Sequence, residues 1–142
     1  MPTINGGAMN RIFKHMQQLC SAGFEAAVRH NSHVAVVAVD TGGHLLVVMR
    51  ADRAPFSAVE AARRKAVASA SLQMPTAAIA EMFGADPLVI TALSATGDML
   101  IVPGGFPVVL EHNCIGGLGI AGGHYTEDDA VGRQAIAAAA QP

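Results

Sequence analysis

Between Met9 and Val28 the apolar side chains Met9, Ile12, Phe13, Met16, Leu19, Cys20, Phe24 and Ala27 recur at steps of three and four, with Lys14, Gln18, Glu25 and Arg29 opposite them. That period predicts an amphipathic helix. Val34 to Val39 and His44 to Arg50 are rich in β-branched residues and flank Asp40-Thr41-Gly42-Gly43, which predicts an antiparallel hairpin. Ser57-x-x-Glu60 has the spacing of a capping box and opens a second helix, expected to end near Gln73 because Pro75 restricts the residue before it. Inside it Ala62, Ala66 and Ala70 form a stripe suited to close packing, with Arg63, Arg64 and Lys65 expected mostly on the other sides. Thr76 can cap a short helix that Gly84 stops, and Leu88 to Leu93 is apolar without a decisive period. After the turn at Thr96-Gly97-Asp98, strands are expected at Met99 to Val102, Phe106 to Leu110 and Cys114 to Ala121. A last helix should begin after Thr126, capped by that hydroxyl with Asp129 three residues on. The pattern gives an α/β (α+β) fold: a five-stranded antiparallel sheet flanked by helices. No repeat or linker divides it, so residues 1–142 form a single domain whose first eight residues are expected to be a loose end.

Gly117-x-Gly119-x-x-Gly122 has the spacing of a dinucleotide-binding fingerprint. The fingerprint works only where a strand passes into a helix inside a βαβ unit, so that the helix N-terminus meets the pyrophosphate. Here two of the glycines fall inside a strand and no later strand completes such a unit. Glycines so placed mark a close approach of another group to the backbone, which points to tight packing or a pocket wall.

Half of the 142 residues are hydrophobic (51%) and 14% are charged, enough for a core of its own. A net charge of −2 gives no electrostatic reason to expect nucleic acid or an anionic membrane surface as a partner. No signal-peptide pattern or membrane-length apolar stretch occurs, and the expected location is cytoplasmic. Cys20 and Cys114 fit no metal-ligand spacing and are expected to be reduced core thiols. With no Trp and many small side chains, each buried residue removes little area from water, so subunit contacts are expected to add stability and a homo-oligomer is anticipated.

Val36-Val37-Ala38-Val39-Asp40-Thr41-Gly42-Gly43-His44-Leu45, Arg50-Ala51-Asp52-Arg53-Ala54-Pro55, Lys65-Ala66, Met74-Pro75-Thr76, Pro103-Gly104-Gly105-Phe106-Pro107 and Ile115 to Gly123 occur in this order along the chain. Together they resemble the GlcG/HbpS-like family, which includes the C-terminal domain of PduO-type proteins, over about residues 9 to 140. The resemblance implies a profilin-like fold, homo-oligomers and, in several members, haem binding. Some members are linked to haem degradation or to small-molecule catabolism.

His124 is the first candidate for chemistry, because it ends a strand just before a helix. Relatives commonly carry threonine there, implicated in some in haem contact; a histidine could hold iron or act as general acid or base. Tyr125 could orient a ligand or donate a proton, and Gly122 and Gly123 could line the same pocket. Lys65 matches a lysine typical of the family and could hold a substrate carboxylate or a haem propionate. Arg50 and Arg53 could clamp anions. His15, at the edge of the first helix's apolar face, could be an iron ligand if a second donor faced it across a haem. His44 is expected to be structural, whereas His30, His33 and His112 are expected at exposed helix ends and turns. Glu127, Asp128 and Asp129 read as the ordinary acidic first turn of a helix. Two functions remain open: a small-ligand or haem-binding protein, and a catabolic isomerase, hydratase or lyase acting on an organic acid. In the second, His124 is the acid/base and Lys65 or an arginine fixes the substrate. Haem is the one cofactor implied, with His124 its metal ligand.

Overall fold

A run such as Ala35-Val36-Val37-Ala38-Val39, with no polar residue on either parity, makes sense only in a strand covered on both faces. In the computed structural model, which describes residues 9–140, this run is β1 (Ala35–Asp40), one of two central strands of an antiparallel sheet. The others are β2 (Leu45–Arg50), β3 (Gly105–Leu110) and β4 (Asn113–Ala121), in the order β2-β1-β4-β3. The helices are α1 (Arg11–Arg29), α2 (Ser57–Leu72), α3 (Thr76–Phe83), α4 (Pro87–Ala95) and α5 (Tyr125–Ala139). The expected loose end at Pro2 to Gly7 lies outside the described residues.

Alternate residues of β1 serve two cores. Val36 and Ala38 join Leu118, Ile120, Val108 and Phe106 beneath α1 and α5, where Met16, Leu19, Val131 and Ala135 complete a buried cluster. Ala35, Val37 and Val39 face the other way, onto Ala58, Ala62, Ala66 and Ala70 of α2. The sheet is thus a middle layer between α2 and the α1–α5 pair.

The glycines of β4 set the spacing of the α2 layer. A Cβ on Gly117 would run into the Ala66 carbonyl, and one on Gly119 into the Ala62 carbonyl. Gly105 of β3, paired with Gly119, likewise lies against the Lys65 carbonyl. The alanine stripe and these glycines bring helix backbone onto strand backbone, which is the tight packing the sequence pointed to.

The fold departs from the sequence expectation in four places. The sheet has four strands, not five: Met99 to Val102 is extended, but only Leu100 N–H bonds outward, to the Arg64 carbonyl of α2 at 3.2 Å. Met99 and Ile101 are buried and their neighbours are not, so a segment crossing α2 reproduces the alternation of a strand. Leu88 to Leu93 is helical because Asp86 caps Val89 N–H at 3.4 Å and Pro87 takes the first helical position. The capping boxes do not form. Glu60 turns to Arg63 and Arg64, and Thr76 uses its hydroxyl to accept from Gly105 N–H at 2.8 Å. α5 starts one residue before Thr126 and is capped by His124.

The hairpin turn is held by Asp40, whose Oδ1 accepts the N–H groups of Gly42 and His44, both at 2.9 Å. The His44 ring lies 3.2 Å from the same oxygen, the structural place expected of it. Among the described residues no helix is long and apolar enough to cross a membrane.

Candidate functional site

β4 ends at Ala121 and the chain must then turn sharply into α5. Gly122 makes that turn at φ +136°, a conformation other residues rarely adopt, and a Cβ there would run into the His33 carbonyl. Gly123 N–H then donates to Asp128 Oδ1 at 3.1 Å, tying the turn to the first turn of the helix it precedes.

His124 follows as the N-cap of α5. Its Nδ1 accepts Thr126 N–H at 3.3 Å and lies 2.8 Å from the Thr126 hydroxyl. An Nδ1 that accepts from the backbone places the neutral ring's proton on Nε2. The outward nitrogen is therefore a donor, and offering it to a metal would move the proton to Nδ1 and cost the cap. The ring is exposed, with Tyr125 beside it at a centroid distance of 4.2 Å and 46% exposed.

Lys65 lies beneath this turn rather than in a cleft. It is 3% exposed, and its Nζ donates to the Ile120 carbonyl at 2.8 Å and to Asp128 Oδ2 at 3.1 Å. Asp128 is 1% exposed. Burial lowers the Lys65 pKa and raises that of Asp128, and in each case the partner's charge opposes the shift. The expectation that Lys65 points away from the alanine stripe is corrected: it stands three residues after Ala62, on the buried face. Asp128 is likewise more than an acidic first-turn residue, whereas Asp129 pairs with Arg133 at 2.7 Å.

Arg50 is exposed, and its Nη1 donates to the carbonyls of Ala51, Asp52 and Ala54 at 3.1, 3.4 and 3.0 Å, fixing the turn after β2. With Arg53, His33 and Phe24 it borders a recess of about 410 Å³. His15 is half-buried and borders a different recess, of about 200 Å³, with Gln18, Ala22, Ala138 and Ala139 between α1 and α5. Neither recess includes His124, Tyr125 or Lys65, so the candidate residues fall into three separate places. Sequence reasoning set His33 aside as an exposed helix-end histidine and gave Phe24 only a core role. The signal for a recess was the polar stretch Asn31-Ser32-His33 between a helix and a strand, close in space to Arg50. Cys20 is buried in apolar surroundings that push its thiol up to about 12, and Cys114 is half-buried; both are free. No group of three or more potential metal-ligating side chains occurs among the described residues.

The architecture defines an α+β protein with a four-stranded antiparallel sheet between helical layers. Residues 13–137 match the family described as haem degrading protein HbpS-like, and the chain belongs to that family. Similar solved structures include a double mutant of HbpS from Streptomyces reticuli, at 27% identity over 97% of this chain and 94% of that one, with a TM-score of 0.81. The Klebsiella pneumoniae protein ORFY is 25% identical over 99% of both chains, with a TM-score of 0.82. A PduOC:haem complex is 28% identical over 89% of this chain and 92% of that one, with a TM-score of 0.79. Among curated protein sequences, none matches.

Proposed function

We propose that this chain binds haem or a flat apolar ligand of similar chemistry, as an assembly of identical copies. The observation that carries the reading is the likeness to the PduOC:haem complex within a family described by haem degradation. The donor chemistry of this chain fits such a group at His15. Its imidazole is half-buried and borders the recess of about 200 Å³ beside the methyl groups of Ala22, Ala138 and Ala139, an apolar surface that the edge of a flat ligand could meet. Haem, when bound, supplies an iron that an imidazole nitrogen can hold. His124 supports the reading less well, because its Nδ1 already accepts from the α5 backbone. Met9, just before α1, and Ile12 and Phe13 in its first turn are 46%, 43% and 38% exposed, apolar surface that association of copies would cover. The reading as an enzyme acting on an organic acid needs Lys65 or an arginine beside His124, but the Lys65 ammonium is enclosed by Ile120 and Asp128, and the recess of Arg50 and Arg53 does not include His124. No observation favours that second reading.

The test is a hemin titration of the purified protein and of His15→Ala and His124→Ala, followed by absorbance. Saturation near one haem per chain, with a Soret shift lost in His15→Ala and kept in His124→Ala, is the expected result. A wild-type protein that does not saturate, or a Soret band unchanged by His15→Ala, overturns the assignment.

A further inference from the structure

Phe24 and His15 are nine positions apart on α1, which at 100° per residue puts them on opposite sides of the helix. The recess on the Phe24 side is therefore separate from the one at His15. Phe24, His33, Arg50, Ala51, Asp52 and Arg53 line it, with a volume of about 410 Å³. It continues into a smaller, more apolar lobe of about 140 Å³, where Ala27, Val28 and Val34 meet Ser32. The two lobes share Phe24, His33 and Ala51.

We propose that this two-lobed recess is a binding site for a small carboxylate carried on an apolar body, such as an aromatic or branched organic acid. The charge pattern points to an anion. Arg11, Arg63, Arg64 and Arg133 each have a carboxylate partner, whereas Arg50 and Arg53, like Arg29 outside the recess, have none among the described residues. Arg50 is also pre-set. Its Nη1 is held by three carbonyls, so the guanidinium stands in a fixed plane with its other edge open, and fixed planar forks suit carboxylates. The carboxyl group of Asp52 offsets one of the two positive charges. Arg50, Arg53 and Asp52 together leave the rim a single net positive charge, matched to a monocarboxylate rather than to a multiply charged phosphate. The Phe24 ring and the alanine and valine side chains provide the apolar floor. Ala51 N–H donates to the Val34 carbonyl at 2.9 Å, joining the two sides of the recess.

The test is a titration of the full chain with benzoate, 4-hydroxybenzoate, benzamide and inorganic phosphate, read by calorimetry and by methyl chemical shifts. Benzoate should bind at least ten times more tightly than benzamide, and shifts should be confined to Ala27, Val28, Val34 and Ala51. Arg53→Gln should weaken benzoate about tenfold or more, Arg53→Lys should restore part of it, and Phe24→Leu should weaken both acids. Arg53 is exposed, so these variants should melt as the parent does. His15→Ala, which removes the proposed haem donor, should leave benzoate binding unchanged, so the two sites fail or stand separately. Equal binding of benzoate and benzamide, displacement by phosphate at equal concentration, shifts around Ala22 and Ala138 instead, or affinity unchanged in Arg53→Gln would each overturn the proposal.

Discussion

Lys65 and Asp128 join α2, the end of β4 and the start of α5 through one enclosed ion pair. In Lys65→Met the Asp128 carboxylate keeps Gly123 N–H but loses its only cationic partner among the described residues, at 1% exposure. In Asp128→Asn the ammonium keeps the Ile120 carbonyl and loses its counter-charge. Removing one member of a buried pair costs about 3–5 kcal/mol, because the other is left charged in a poorly solvated place. That is a large share of the roughly 5–15 kcal/mol that holds a domain folded. The double replacement Lys65→Met with Asp128→Asn leaves no orphaned charge and should lose clearly less than the sum of the single losses. Urea unfolding followed by circular dichroism measures all four proteins. Single variants that lose less than about 1 kcal/mol, or losses that add within about 0.5 kcal/mol, would show that the pair is not held in this enclosed form.

Three further outcomes follow from the geometry. Gly119→Ala should lose more than about 4 kcal/mol or fail to fold, since the new methyl lands in the Ala62 carbonyl and neither backbone can yield alone; a variant with parental stability refutes the seam. Cys20, its thiol pushed up to about 12 by burial, should resist iodoacetamide at pH 8 in the native protein and react on unfolding, and rapid native labelling counts against it. Glu60 and Asp98 are held below their ordinary pKa values, in both cases chiefly by hydrogen bonds from Arg63. Their contribution is therefore complete above the ordinary carboxylate range and disappears as pH falls through the lowered values, because the unfolded chain takes up protons first. Arg63→Ala should flatten that part of the stability–pH curve, and an unchanged slope refutes the assignment.

Much of the architecture was readable because each layer leaves a periodic trace. The three- and four-step spacing of α1, the uninterrupted apolar run of β1 and the alanine steps of α2 all report which faces are covered. Met99 to Val102 misled for a physical reason: a two-residue alternation records burial on one side, whether the cover is a neighbouring strand or a helix lying across it. The candidate site was less legible. Lys65 carries a sequence signal, its place three residues after Ala62 on the alanine face, but Asp128 is 63 positions away and no local spacing connects them. For His124, position at a strand end suggested delivery to a ligand, while the same position is where a helix needs an acceptor for its free N–H groups. His33 and Phe24 meet Arg50 only after the chain has folded back, so the polar stretch Asn31-Ser32-His33 was the one local trace of the recess and could not name the residues across it.

α4 is distinct from the other helices in that it has no buried residue, with Leu88 78% exposed. Nine residues are too few to sustain a helix in water by their own hydrogen bonds. Its amides should therefore exchange with deuterium through openings that leave the sheet untouched, long before those of β1. A proteolytic nick in this segment would then report a local excursion and say nothing about the strength of the rest.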